Sequence, residues 1–325
     1  MSYLKIFGIC LLIVSGVIAV YVYLSYQHDI RAARERISSG SKMIETACGP
    51  IEYADVGEIS PVLVIHGAGG GFDQGLMGAS DWIGDDFRFI VPSRFGYLRT
   101  PLPKDATPVA QADAHACLLD ALGIKRTAVV AASAGALSAV PLAIRHPDKV
   151  SALVLLIPAA WVPPSPEAAA EEIMKKGFIT DVVLKSDFIM WFFTKYARKQ
   201  MITFLGVPKE VQDRITPEQN RDISRLIKNI LPVSPRVDGM VNDGINHAAR
   251  QRYALENITA PTLIIDSADV GTYEGARYTA EHIPGAKFIG FESGGHLLVG
   301  QYEEVRKEVS QFLKENEMTE VQKGG

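Results

Sequence analysis

A serine, a histidine and two aspartates, Ser133, His296, Asp266 and Asp269, are the residues of this sequence with the types and order for nucleophilic chemistry. A serine hydroxyl is barely ionised at neutral pH, so it attacks a carbonyl only when a base takes its proton. His296 can be that base, because an imidazole titrates near working pH. Gly294 and Gly295 before it let the loop fold closely over a sheet edge. A carboxylate must then orient the imidazole and balance the charge it acquires. Asp266 and Asp269 compete for that place.

The chain around Ser133 explains how it would be presented. Residues 128–132 form a short apolar run with the character of a buried strand, and from Ser133 to His146 the sequence suits a helix. A strand that reverses directly into a helix brings two backbones together. Ala131 and Gly135, two before and two after the serine, are small enough to allow this. The serine is left at a strained apex with its hydroxyl exposed. Ala134, at the N-terminus of the new helix, offers a backbone N–H to an oxyanion.

The surrounding elements alternate. Residues 43–48 and 51–54 suggest a hairpin about Gly49-Pro50. Strands are expected at 61–65, 87–91, 128–132, 150–157, 261–265 and 286–291, with helices at 73–83, 108–122, 133–146, 273–282 and 298–314. Apolar strands alternating with helices mean a parallel sheet covered on both faces. The reactive residues then fall at the carboxyl ends of strands, where loops converge. Between Trp161 and Asn257 no strand-like run occurs, so residues 161–257 read as a helical insertion in one sheet domain made of 43–160 and 258–316.

The N-terminus differs from the rest. Ile6 to Tyr26 carries no charge and is long enough, at about 20 residues, to cross a bilayer as a helix. Tyr21, Tyr23 and Tyr26 suit the membrane interface. Residues 1–28 are therefore read as a single-pass anchor, with a cleaved signal ending near Ala19, and a secreted or periplasmic product, as the alternative. Lys5 on one side and Arg31, Arg34 and Arg36 on the other leave orientation open. Residues 29–42 read as a linker and 317–325 as a flexible tail. The net charge of −4 and the lack of a basic cluster argue against nucleic acid as a partner. Cys10, Cys48 and Cys117 are widely spaced and odd in number, which indicates neither a disulfide framework nor a metal site.

Taken together, the chain resembles the α/β-hydrolase superfamily over about residues 43–314. The resemblance rests on His66-Gly67 with its glycine run, Ser93-Arg94-Phe95-Gly96-Tyr97, Ala131-Ala-Ser133-Ala-Gly135, Arg145 to Val150, Pro261 to Ile265, Ile283 to Ala286 and Gly294-Gly-His296. It implies an eight-stranded, mostly parallel sheet with a helical cap after strand 6, and a Ser133–His296–acid triad. It favours Asp269 as the acid. The loop before Gly271 is short for the family, which keeps Asp266 as the alternative. Ala68 becomes the second oxyanion donor, with Gly69 as fallback, and His66 holds the loop.

The implied activity is hydrolysis of a carboxylic ester or similar small acyl substrate through an acyl-enzyme, with no cofactor and no metal. The same triad also serves C–C bond hydrolases, thioesterases and lactonases, and a silent ligand-binding homologue is the alternative of another class. A dinucleotide site is disfavoured, because Phe72 stands where a third small residue belongs and no acid follows the next strand. Ser138 reads as a helix-face hydroxyl, and His115, His146, His247 and His282 lack metal-ligand spacing. Trp191, Phe192 and Phe193 either line an acyl pocket or pack the cap.

Overall fold

A computed structural model describes residues 3–161, 185–249 and 251–323. Eight strands form one sheet: β1 (Lys42–Thr46), β2 (Gly49–Val56), β3 (Pro61–Ile65), β4 (Arg88–Pro92), β5 (Thr127–Ala132), β6 (Val150–Leu156), β7 (Thr262–Ser267) and β8 (Lys287–Phe291). Their spatial order is β1-β2-β4-β3-β5-β6-β7-β8. The hairpin β1–β2 and the β2–β4 pair are antiparallel, and every other pairing is parallel.

The central strands are apolar throughout because both of their faces are covered. Leu63, Ile65, Val129, Ala131, Leu153 and Leu155 point to one side, toward α3 (Pro108–Ala121) and α4 (Ala136–Arg145). Their neighbours Val62, Val64, Val130, Val154 and Leu156 point to the other, toward α2 (Phe72–Trp82). Full burial of each Val, Leu or Ile among them contributes roughly 1.5–3 kcal/mol, so the sheet is the rigid element on which the loops are mounted. Helix α3 begins where Thr107 caps it, its side chain accepting from Ala110 N–H with Pro108 in the first turn.

Between β6 and β7 the regular elements among the described residues are helices, including α5 (Asp187–Tyr196), α6 (Arg198–Phe204), α7 (Lys209–Gln212), α8 (Pro217–Asn229) and α9 (Val237–Ala248). They enclose a separate apolar cluster that includes Met190, Trp191, Ile202, Ile223 and Ile227. The chain then completes the sheet domain with α10 (Tyr273–His282) and α11 (Tyr302–Lys323).

Three sequence expectations are corrected. Residues 29–38, read as linker, continue the N-terminal helix α1, which runs from Tyr3 to Ser38. Ile30 and Ala33, one turn apart, are buried there, and Ala33 joins the apolar cluster of the insertion. Asp29 accepts from Trp191 Nε1 and Lys195 Nζ, both at 2.8 Å. The presumed tail is likewise helical to Lys323, because no glycine or proline occurs before Gly324. Finally, Cys48 and Cys117 form a disulfide, with Cα atoms 6.0 Å apart across a sequence separation of 69. The fold brings the β1–β2 turn onto α3, a proximity that cysteine spacing along the chain does not encode.

Candidate active site

Ser133 follows β5 directly and has φ of +50°, in the left-handed region that side chains rarely adopt. Its carbonyl accepts from Ala159 N–H at 2.9 Å, which fixes the apex to the loop after β6. The reason for small neighbours is visible in distances. A Cβ on Gly135 would lie 2.5 Å from the Ile65 carbonyl oxygen, and one on Gly67 would lie 3.1 Å from the Ser133 Cβ. The Ser133 turn and the His66–Gly71 loop therefore approach as backbones.

His296 comes from the loop after β8, through Gly294 and Gly295, both with positive φ. Its Nε2 lies 2.9 Å from Ser133 Oγ. Nε2 can accept the serine proton when the ring carries its own on Nδ1. Burial lowers the imidazole's pKa, which keeps it neutral and available as a base. The backbone N–H of His296 donates to the Gly206 carbonyl at 2.9 Å, so the insertion touches the loop that bears His296.

The two aspartates have different surroundings. Asp269 accepts from Gly294 N–H at 3.1 Å, Gly295 N–H at 3.0 Å and the Ser267 hydroxyl at 2.6 Å. Two of these three hydrogen bonds thus come from the backbone just before His296, and none from the ring. Asp266 is fully buried, with Oδ1 accepting from Ser267 N–H and Thr272 Oγ1. Its Oδ2 has no partner among the described residues. Burial, helped by the nearby charge of Asp269, pushes the Asp266 carboxyl up to about 6.

Of the expected oxyanion donors, Ala134 follows Ser133 in a short 3₁₀ turn, Ser133–Gly135. Ala68 lies in the loop whose Gly67 faces Ser133. The N–H of Gly69 is committed elsewhere, donating to Tyr97 Oη at 3.2 Å. His66 holds the loop: Nδ1–H donates to the Gly67 carbonyl at 2.8 Å and Nε2 accepts from Arg94 N–H at 3.0 Å. Burial and the charge of Arg94 hold its pKa well below the ordinary value. Ser138 is tied to His115 Nε2 and the Gly135 carbonyl. Trp191 is buried in the insertion while Phe192 is exposed, so these aromatics do not line one pocket. A cleft lined by Ala136, Leu137, Val140, Ala160, Trp161 and Tyr253 opens beside α4, the helix that follows Ser133. Among the described residues, no group of three or more His, Cys, Asp or Glu side chains is placed to hold a metal ion.

Sequence reasoning missed the polar supports of the glycine loop. Arg94 bonds both oxygens of Asp243 at 2.6 Å and donates to the carbonyls of His66 and Gly67 at 2.9 and 3.2 Å. Tyr97 Oη donates to the same Asp243 at 2.5 Å. Burial opposes the Arg94 charge, and Asp243 outweighs it, holding Arg94 above its usual value. Arg236, fully buried, bonds Asp73 and the Gly70 carbonyl. Arg94 lay within a recognised motif, but its partner is 149 residues away in α9.

The family model for the alpha/beta hydrolase fold matches residues 60–301. The chain belongs to that family. An uncharacterized hydrolase of Bacillus subtilis, YcgS, is 28% identical over 262 residues, covering 77% of this chain and 89% of that one. The 2-hydroxymuconate semialdehyde hydrolase of Pseudomonas putida is 35% identical over 105 residues, which is 31% of this chain and 37% of that enzyme. A solved thermophilic esterase from Thermogutta terrifontis has a TM-score of 0.62 and 25% identity, covering 86% of this chain and 99% of that one. The protein is a hydrolase.

Proposed function

We propose that the protein is a membrane-anchored serine hydrolase that cleaves a carboxylic ester through an acyl-enzyme. The observation that carries this reading is the 2.9 Å contact between Ser133 Oγ, on its strained apex, and a neutral His296 Nε2. Ser133 gives its proton to Nε2 as Oγ bonds the carbonyl carbon. The carbonyl electron pair moves to oxygen, which takes hydrogen bonds from Ala68 N–H and Ala134 N–H. His296 returns the proton to the departing alcohol, leaving the acyl group on Oγ. A water, deprotonated by His296, then attacks the acyl-enzyme and releases the acid.

Asp269 is the acid of this reading, because its charge is anchored to the two residues before His296. Asp266 is less suited, since a carboxyl raised to about 6 is partly protonated at neutral pH. The N-terminal helix, with a mean hydropathy of 2.5 and no burial over its apolar window, supports the anchor. The Cys48–Cys117 bond supports a catalytic domain on the oxidising side of that membrane.

A fluorophosphonate probe tests the mechanism: wild type is labelled and Ser133→Ala is not, and absence of label from wild type refutes it. The stretch shared with the semialdehyde hydrolase favours one second reading, C–C bond hydrolysis by the same Ser133 and His296. A panel of p-nitrophenyl esters against a ring-cleavage dienoate separates the two.

A further inference from the structure

Helix α1 changes its surroundings part-way along. Its first two-thirds is apolar and exposed, whereas Ile30 and Ala33 are buried. At 1.5 Å per residue, about 20 residues cross the hydrocarbon layer, so the remainder must emerge beyond it. Tyr26 marks the change, its ring 5.2 Å from Phe188 and 5.5 Å from Trp191 in α5. Lys195 reaches Ser25 and Asp29, and Arg34 pairs with Asp187. Helix α5 is thus tied to the anchor at the level where the anchor leaves the lipid.

The outer side of α5 is apolar where water would select polar residues. Phe188, Phe192 and Tyr196 are 43%, 45% and 48% exposed, and their spacing of four places them on one stripe. Phe204, at the end of α6, is 56% exposed. Lys185, Arg198 and Lys199 accompany them, Lys195 is paired with Asp29, and Asp187, the sole acid between 185 and 208, is paired with Arg34. Aromatic residues with lysines on a helix are what anionic headgroups attract. Two residues beyond Phe204, the Gly206 carbonyl receives the His296 N–H.

We infer that the face formed by Phe188, Phe192, Tyr196 and Phe204 rests in the headgroup region of the anchoring membrane, and that the substrate is an acyl ester dissolved in that bilayer. The inference rests on the reading of the chain as an anchored serine hydrolase. Because α6 runs from this face to the loop of His296, an ester carbonyl at the lipid surface lies on the base's side of the site.

The test uses the full chain, with Cys10→Ser, in vesicles of phosphatidylcholine and phosphatidylglycerol. Nitroxides are placed one at a time through Val14→Cys, Phe192→Cys, Phe204→Cys and Lys104→Cys, and their exposure to oxygen and a nickel chelate is compared. Position 14 should read bilayer core, 192 and 204 the headgroup region, and 104 water. Positions 192 and 204 reading as water while 14 reads core overturns this inference alone. Shielding of 192 and 204 from both reagents also overturns it, since a protein partner or second copy then covers the face. Position 14 reading as water removes the anchor itself and the inference with it. In the second arm, Phe188→Ser with Phe192→Ser should lower the ratio of hydrolysis of a vesicle-dissolved long-chain ester to that of p-nitrophenyl acetate on the order of tenfold. An unchanged ratio refutes the substrate assignment, while hydrolysis of the soluble ester independently checks the serine mechanism.

Discussion

Arg36, near the end of α1, pairs with Asp73 in the first turn of α2, Nε to Oδ2 at 3.3 Å. Arg236 holds the same carboxylate from the insertion, at 2.8 and 3.1 Å, and also donates to the Gly70 carbonyl. Helix α1, the insertion and the glycine loop therefore meet at one aspartate. Asp73→Asn leaves the fully buried Arg236 without its counter-charge, a loss of about 3 kcal/mol expected in urea unfolding. Arg36→Gln should cost under about 1 kcal/mol, because Arg36 keeps contact with water. Equal losses would mean that the buried pair is not the stronger tie.

Removing Ser133 or His296 should abolish turnover with little change in melting temperature. Asp269→Asn is expected to lower kcat roughly 10³-fold, since the imidazolium then loses its balancing charge. Asp266→Asn should lower it far less. A larger loss for Asp266→Asn would reassign the acid.

His296 is held below the ordinary imidazole value by burial, and this fixes the direction of the pH profile. The acidic limb of kcat/KM, where the base becomes protonated, should fall below 6.5. An inflection above 6.5 would point to another base or to a strong charge partner.

Much of this site is readable along the chain because its parts are local. The strand-to-helix reversal at Ser133 requires small residues at fixed offsets, and Gly294-Gly295-His296 is one short loop. Alternation of apolar strands gave the sheet for the same reason: each strand carries its own two-sided burial. What escaped notice depends on distant partners. Arg94 with Asp243, Arg236 with Asp73, and Cys48 with Cys117 each join segments far apart, and no spacing rule links them. Helix α1 was divided in error because a charged stretch after an apolar run resembles a linker until Ile30 and Ala33 are seen to be buried.

Asp266 offers a test by stability. Its folded pKa is about 6, above the ordinary carboxyl value of about 3.9 in the unfolded chain. The unfolded state therefore releases its proton first as pH rises, and stability falls between about pH 4 and pH 6. Asp266→Asn removes the ionisation, so it should stabilise the protein at pH 7.5 by about 1–2 kcal/mol and give no gain at pH 4. Melting temperatures of both forms across that range decide the matter, and a gain independent of pH would contradict the assigned shift.

The disulfide gives a prediction about compartment as well as stability. Closing a loop of 69 residues restricts the unfolded chain by about 4 kcal/mol in the chain-entropy account. Such a bond persists only where thiols are not continuously reduced. Protein taken directly from cells into denaturant and treated with a maleimide-polyethylene glycol should gain one adduct, on the free Cys10. After reduction it should gain three, one for each cysteine. Three adducts without reduction would place the catalytic domain on the reducing side, and the Cys48–Cys117 contact would then be a pair of thiols.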